Sequence, residues 1–253
     1  MKPMLSFYRK EMLRFFRDRR FFILSLGMPI IFYLIFVNQV GSKQMLSGTT
    51  WKAYFMVSMA AFGIIASSVN ALGVRLASER TSGWVRWLKT TPLSPTGYAV
   101  VKMLVQLSIS LLIILVIFLI GVLFQGVTMP FWQWIAIFLW LWLASFPFAA
   151  LGVLIGFAGN AAQILGTLIY LAISMLGGLW TPIQVLPSSM QTIAKWMPSY
   201  RYAHPAWNIL AGQGIAWQDI AILLGYTIVF LMISVYVQKT KSFRRSTSTN
   251  SVS

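Results

Sequence analysis

Long apolar runs separated by short polar segments dominate the sequence. A membrane-spanning helix needs about 20 predominantly apolar residues, and six runs approach that length. The runs cover residues 21–40, 53–74, 98–124, 131–157, 163–180 and 217–237. This pattern predicts six transmembrane helices. The least distinct boundary is the turn at Gly159-Asn160, so five and seven spans are the alternatives.

The composition places the whole chain in a membrane. Hydrophobic residues make up 58% of the sequence and charged residues 9%, with a mean hydropathy of +0.76, which leaves too little polar surface for a water-soluble globule. The net charge of +16 could indicate nucleic-acid binding, but the basic residues stand in short flanks beside apolar runs. No nucleic-acid partner is therefore expected. The absence of cysteine excludes disulfides and thiolate metal sites.

The distribution of lysine and arginine predicts the orientation. With the N-terminus inside, the cytoplasmic segments hold seven basic residues before position 21, five between positions 75 and 102, and four after position 237. The remaining four are Lys43, Lys52, Lys195 and Arg201. Because positive flanks stay in the cytoplasm, we expect a multi-pass protein of the cell membrane with both termini cytoplasmic.

Side chains for catalysis are scarce. The sequence has one histidine, His204, and four carboxylates, Glu11, Asp18, Glu79 and Asp219, in no recognisable catalytic or metal-binding motif. It also lacks the glycine-rich loop that binds ATP phosphates. We expect no enzyme activity, no metal and no cofactor in this chain.

Ion-coupled transporters carry ionisable groups at mid-membrane, and the apolar runs show no such group there.

Two features inside the runs have alternative interpretations. Gly152-x-x-x-Gly156 offers a small-residue face either for dimerisation or for packing within the chain, and the second is the more common use. Trp140 and Trp142 fall near mid-bilayer, where an indole N–H finds no water. They are candidates for a substrate path, with packing between helices as the alternative.

Two cytoplasmic segments are predicted to be amphipathic. In residues 4–20, apolar side chains recur at steps of three and four with basic residues between them, which predicts an interfacial helix. Its role is either lipid anchoring or protein docking. The segment after Arg75 mixes Trp84 and Leu88 with basic residues and is bounded by Pro92 and Pro95. A short helix there could enter a groove of a partner or rest in the headgroups.

The loop between the second and third spans has a Glu-Arg pair, a nearby glycine, and a leucine followed by Thr-Pro-Leu-Ser. These residues are Glu79, Arg80, Gly83, Leu88, Thr91, Pro92, Leu93 and Ser94. In this pattern the loop resembles the corresponding loop of the ABC-2 family of permeases. Many members have a threonine after the glycine and an acidic residue in the next turn, where this chain has Trp84 and Arg86.

The resemblance implies a permease that pairs with a separate ATPase, usually as two permeases and two ATPases, with ATP and magnesium bound by the ATPase. The second permease copy would form a homodimer or a heterodimer. The ATPase-coupling residues would be Glu79, Arg80, Gly83, Trp84, Leu88 and Pro92. The docking residues of the N-terminal helix would be Arg9, Arg14, Arg17 and Asp18. The family also implies short re-entrant helices on the external side, within residues 180–213.

The sequence thus predicts an all-α membrane protein with one ABC-2 transmembrane domain over residues 1–253. An interfacial helix occupies 1–20, the six-helix membrane domain 21–237 and a basic cytoplasmic tail 238–253. A coupling helix lies between the second and third spans. The predicted function is ATP-driven export of a lipophilic or amphipathic compound, such as a drug, an antibiotic or a lipid-like molecule. An ion-coupled secondary transporter of lipophilic compounds is the alternative, and an intramembrane enzyme is the least favoured.

Overall fold

The described part of the chain is almost entirely helical. The computed structural model describes residues 2–18, 23–40, 45–46, 48–84 and 94–249. Its α-helices are α1 (Lys2–Arg17), α2 (Met28–Val40), α3 (Trp51–Ala66), α4 (Leu72–Thr81), α5 (Pro95–Gln125), α6 (Phe131–Leu143), α7 (Phe146–Ile155), α8 (Ala162–Leu176), α9 (Ser188–Trp196), α10 (Pro198–Leu210) and α11 (Trp217–Thr249). Two π-helical segments, Ile23–Gly27 and Ser67–Ala71, and two 3₁₀ turns, Gly159–Ala161 and Ile183–Val185, adjoin them. Strands β1 (Met45–Leu46) and β2 (Thr49–Thr50) pair antiparallel.

Within the described residues, five helical stretches are long and apolar enough to cross a membrane. They are Trp51–Thr81, Gly97–Gln125, Phe131–Ile155, Gly159–Leu176 and Trp217–Gln238. The predicted first span corresponds to a shorter apolar helix, Ser25–Gln39, and residues 19–22 lie outside the description. The all-α membrane class is confirmed, while the count of six spans stays a prediction.

The helix Trp51–Thr81, made of α3, a π-helical turn and α4, is the centre of the fold. Every residue from 53 to 69 is buried, because α2, α5 and α10 all pack against α3. The sequence of α3 is apolar on all sides, as expected for a helix that is surrounded by other helices. The last span differs: only 11% of its apolar window is buried, so most of its surface is open to lipid or to another chain.

The third span has clear start and stop signals. Ser94 accepts a hydrogen bond from the Gly97 amide, and Pro95 occupies the first turn, where a missing N–H costs nothing. At the other end Gly126 adopts a left-handed conformation, with φ of 57°. The Lys52 ammonium donates to the Gln125 and Gly126 carbonyl oxygens at 3.2 and 2.5 Å, which satisfies the end of α5.

The two glycines of the Gly152-x-x-x-Gly156 motif face the same chain. A Cβ atom on Gly152 would lie 1.9 Å from the Ser68 carbonyl oxygen, and one on Gly156 would lie 2.8 Å from the Leu76 Cβ. These close approaches bring α7 against the π-helical turn and α4. The motif therefore serves packing within the chain, which is the more common of its two expected uses.

The segment between the fifth and sixth spans forms two helices, α9 and α10. Pro198 begins α10, whose Tyr202, Ala203 and Ala206 are fully buried. The Tyr202 hydroxyl donates to the Leu141 carbonyl oxygen of α6. Helices in this segment agree with the prediction, and their re-entry into the bilayer stays a prediction.

Candidate functional site

The N-terminal helix α1 packs against the beginning of α5. The Phe7 and Tyr98 rings are stacked with centroids 5.9 Å apart, and the Tyr8 hydroxyl lies 2.8 Å from the Ser108 Oγ. Steps of four residues place Phe7, Glu11 and Phe15 on one face, with Glu11 and Phe15 almost fully buried. The amphipathic pattern thus corresponds to a helix attached to the third span by its apolar side.

A buried cluster of charges joins three segments of the chain. The Lys102 ammonium of α5 lies 2.6 Å from Glu11 Oε2 of α1 and 2.5 Å from Glu79 Oε1 of α4. The Tyr98 hydroxyl donates to Glu79 Oε2 at 2.5 Å. The side chains of Glu11 and Lys102 are 6% exposed and that of Glu79 is 3% exposed. We call Glu11, Glu79, Tyr98 and Lys102 the ion cluster.

The margin of the ion cluster reaches the surface at Arg14. The Arg14 Nη1 atom lies 3.5 Å from Glu79 Oε1 and 3.9 Å from Glu11 Oε1, while its side chain is 55% exposed. Buried ions need partners at short distance, and each buried carboxylate of the cluster has one in Lys102. The exposed Arg14 adds a second, more solvent-screened cation.

The face of α5 that carries Lys102 continues toward the centre of the molecule. One turn further on, Gln106 donates through Nε2 to the Ser67 Oγ at 3.1 Å and to the Ser68 Oγ at 2.8 Å. These serines lie in the π-helical turn of the central helix. Glu11, Arg75, Lys102 and Gln106 line a small cavity between the two contacts. The third span therefore contacts the second at two successive polar points.

The structure changes the expected surroundings of Glu79 and Arg80. The sequence suggests a loop carboxylate available to a partner, but Glu79 stands in the last turns of α4 and its oxygens are occupied by Lys102, Tyr98 and Arg14. The helix continues past the predicted end at residue 74 because Glu79 is buried and paired there. The Arg80 guanidinium lies 3.5 Å above the Phe157 ring. Both side chains face their own chain.

Other predicted site residues are exposed on the segments that the sequence predicts to be cytoplasmic. Arg9, Arg14 and Arg17 lie on the exposed side of α1, Asp18 is exposed directly after it, and Trp84 is 45% exposed. We call these five residues the docking surface, after the contact with an ATPase that the family resemblance predicts for them. Gly83 has φ of 75°, and a Cβ added there would meet no atom within 4 Å, so the chain turns in open space. Leu88 and Pro92 lie outside the described residues.

The two tryptophans of the candidate substrate path contact backbone carbonyls. The Trp140 Nε1 donates to the Tyr202 oxygen at 2.7 Å, and the Trp142 Nε1 donates to the Leu107 oxygen at 3.0 Å. Both indole N–H groups are thereby satisfied between helices. These contacts are those expected of the packing alternative.

A second ion cluster connects α10 with the first turn of α11. The Arg201 Nη1 lies 2.9 Å from Asp219 Oδ1, and the His204 Nδ1 lies 2.8 Å from Asp219 Oδ2. Asp219 is fully buried, and the Tyr200 ring stacks on His204 at 4.9 Å. Burial, and then the Asp219 carboxylate, raise the pKa of Tyr200. No local motif in the sequence indicates that His204 and Asp219 meet.

Sequence reasoning also missed Glu11, Tyr98 and Lys102 as functional candidates. One signal was present: Glu11 stands four residues from both Phe7 and Phe15, so it is a carboxylate on the apolar face of an amphipathic helix. Such a group needs a buried cation. Lys102, in the third apolar run, is the buried cation that pairs with Glu11 in the structure. Among the described residues, no group of three His, Asp or Glu side chains could hold a metal ion.

Comparison with known proteins indicates the same family as the loop residues from Glu79 to Ser94. A family model for the ABC-2 family transporter protein matches residues 38–236. The chain belongs to the ABC-2 family. This ABC-2 protein is also similar to "Putative transport permease YvfS" of Bacillus subtilis (strain 168), with 35% identity over 231 residues that cover 90% of this chain and 94% of that relative. The resemblance drawn from Glu79 to Ser94 is confirmed.

Membership in the ABC-2 family makes the chain the permease of an ABC transporter, a membrane subunit that works with an ABC ATPase. The helices long enough to cross a membrane agree with that assignment. In this ABC-2 permease, the ion cluster and the docking surface contain residues that the sequence predicts to contact or couple to the ATPase.

Proposed function

We propose that this ABC-2 permease forms the membrane path of an ATP-driven exporter and is powered by a separate ATPase subunit. ATP and magnesium would bind to the ATPase, and the assembly would contain two permeases and two ATPases, with a homodimer of the permease. The observation that supports this proposal best is the position of the docking surface. It lies on segments that the buried ion cluster joins to the third span.

The chemistry of the docking surface suits an acidic partner surface. Arg9, Arg14 and Arg17 offer planar guanidinium groups, which bind carboxylates with two parallel hydrogen bonds. The exposed indole of Trp84 can fill an apolar groove beside them. We place the contact with the ATPase on this surface and on the segment that follows Gly83.

Lipid contact at the same helix is compatible with docking. Besides its arginines, α1 exposes Leu5 (70%) and Phe16 (54%), which can enter the headgroup boundary while basic residues meet anionic lipids. The helix would thus lie at the cytoplasmic membrane surface. Arg9 shares the helix side of Leu5 and Phe16, which are four and seven residues away, so lipid and the ATPase would meet α1 next to one another.

The positions of the buried charges favour ATP drive over ion coupling. Lys102 stands five residues after the start of the span Gly97–Gln125, and Asp219 stands two residues after the start of Trp217–Gln238. Coupling ions of secondary transporters usually bind near the membrane midplane. Both ion clusters of the described residues lie near span ends instead, where they fix helices to one another.

The proposed cargo is lipophilic or amphipathic, and transport is directed outward. The supporting observation is the apolar interior of the described helices, which offers dispersion contacts to a lipophilic molecule and few groups that would select a polar one. A drug, an antibiotic and a lipid-like molecule all have this chemistry.

Purification of the tagged full-length chain from its native membrane tests the proposal. We expect an ATPase subunit to co-purify, native mass spectrometry to give two copies of each subunit, and ATP hydrolysis to require both. The double variant Arg9→Glu/Arg17→Glu should release the ATPase, whereas Lys195→Glu, an exposed charge reversal on α9, should not.

Efflux of ethidium from cells separates the two transport classes. Export should stop when ATP is depleted and continue when an uncoupler collapses the proton gradient while ATP is maintained. The reverse pattern, together with a permease that purifies without any ATPase, would show an ion-coupled transporter.

A further inference from the structure

Lys102 occupies an unusual place for a lysine in an apolar helix. Its side chain is 6% exposed, and its ammonium is shared between two carboxylates that belong to different segments, Glu11 of α1 and Glu79 of α4. The Phe7 and Tyr98 rings stand 5.7 and 5.4 Å from the same ammonium. Lys102 thus bridges Glu11 and Glu79, and through them it connects α1 with α4.

We infer that Lys102 is a positioning residue for energy coupling: its ammonium holds the docking helix α1 and the end of α4 on the third span, so that a movement of the docking surface is delivered to α5. This inference rests on the proposed function, since it assumes that an ATPase moves the docking surface. It adds Lys102 and Glu11, whose side chains are almost fully buried and do not belong to that surface.

The charge count explains why one lysine can hold both segments. Without its ammonium, the carboxylates of Glu11 and Glu79 would remain in a space where little water can screen their repulsion. The exposed Arg14, 3.5 Å or more from either carboxylate, is a weaker substitute. Loss of Lys102 should therefore detach α1 rather than merely loosen it.

A movement of α5 at Lys102 can pass directly to the second span. Gln106, one turn along α5, donates to Ser67 and Ser68 of the central helix, so displacement of α5 at Lys102 also acts on the middle of the second span. Two spans would receive the movement through adjacent positions on one helix face.

Thiol labelling of the full-length chain in native membranes tests the attachment of α1. The chain has no cysteine, so a single introduced one reports without background. Phe15→Cys places a thiol on the buried face of α1, where the native ring is 1% exposed. We expect maleimide to label it slowly in the parent and about tenfold faster after Lys102→Met, because α1 leaves α5.

Matched variants separate charge from side-chain volume. Lys195→Met removes an exposed lysine and should leave the labelling of Phe15→Cys slow, and Ser6→Cys, on the exposed side, should react rapidly in every background. Lys102→Arg should keep most of the protection. The triple variant Glu11→Gln/Glu79→Gln/Lys102→Met should restore protection, because it removes the unpaired carboxylates together with the cation. Unchanged protection of Phe15→Cys in Lys102→Met would overturn the inference.

The complex of the permease with its ATPase tests whether a movement of the docking surface reaches α5. A nitroxide on Leu123→Cys, at the far end of α5 and 67% exposed in the native chain, should change mobility when ATP and vanadate are added to the parent complex. In Lys102→Met the change should disappear while ATP hydrolysis continues. A response equal to that of the parent would also overturn the inference. Failure of the proposed function would instead appear as absent ATP hydrolysis, and the labelling of Phe15→Cys needs no nucleotide.

Discussion

The His204 imidazole of α10 lies 2.8 Å from the buried carboxylate of Asp219, in the first turn of the last span. Arg201 contacts the other oxygen of the same carboxylate, so two basic residues of one short helix share one acid of the next. These contacts hold α10 against the first turn of α11. It places the single histidine of the sequence at a junction between two helices.

Asp219→Asn should destabilise the protein by about 3 to 5 kcal/mol, because it leaves the largely buried Arg201 guanidinium without its counter-charge. His204→Gln should cost less, since its side chain is 28% exposed and an amide can still donate to the carboxylate. Thermal unfolding of the purified permease in detergent measures both. An Asp219→Asn variant as stable as the parent would refute the structural importance of this contact.

Gly152→Ala should lower the free energy of unfolding by about 1 to 3 kcal/mol, since the added Cβ meets the Ser68 carbonyl oxygen, a backbone atom that cannot rotate away. Gly225→Ala is the matched control, because Gly225 lies within α11 with nothing within 4 Å of the added methyl group. There the substitution should be neutral or stabilising by up to about 1 kcal/mol. Equal effects of the two variants in thermal unfolding would contradict the close packing of α7.

Glu79→Ala should reduce both stability and transport. The sequence alone places this carboxylate in a loop, but its burial beside Lys102 means that its removal leaves the ammonium without one of its two buried counter-charges, at a cost of about 3 to 5 kcal/mol. Glu79→Gln should recover part of both properties, because one acceptor oxygen remains for Lys102 or Tyr98. Thermal unfolding and ATP-dependent efflux, measured on equal amounts of protein, test this; an unaffected melting temperature for Glu79→Ala would count against the burial.

Trp140→Phe should remove one hydrogen bond to the Tyr202 carbonyl and cost about 0.5 to 1.5 kcal/mol of stability with transport retained. Trp142→Phe should behave in the same way through Leu107. If either indole instead lined the substrate path, the variant would alter which dyes are exported at nearly unchanged stability. Efflux of several dyes alongside thermal unfolding distinguishes the two roles.

Single cysteines test the orientation of the chain. Ser189→Cys on α9 and Ser94→Cys before α5 both replace exposed serines. An impermeant maleimide should label the first on intact cells and the second only after permeabilisation. External labelling of Ser94→Cys together with protection of Ser189→Cys would reverse the topology.

The helical spans were predictable because long apolar runs leave few alternatives in a bilayer, and the loop motif from Glu79 to Ser94 identified the family. The surroundings of the site residues were not predictable in the same way. Glu11 and Lys102 are separated by 91 residues, and His204 and Asp219 by 15, so each pairing depends on which helices become neighbours. The third apolar run was predicted to begin at residue 98, within one turn of the observed helix start at Pro95, and the Ser94 cap that fixes this start was not recognised in the sequence. The end of the second was placed short because Arg75 and Glu79 resemble loop residues, although helix packing buries Glu79.

The pairing of Glu11 with Lys102 also sets an order of events during synthesis. The N-terminal helix is made first, yet the lysine that receives its carboxylate emerges from the ribosome only with the third span. Until then the Glu11 carboxylate on the apolar face of α1 lacks its buried partner and has only the exposed Arg14 of its own helix nearby. The contact between α1 and α5 is therefore completed only after α2, α3 and α4 have been synthesised, so α1 is made before these helices but reaches its final place after them.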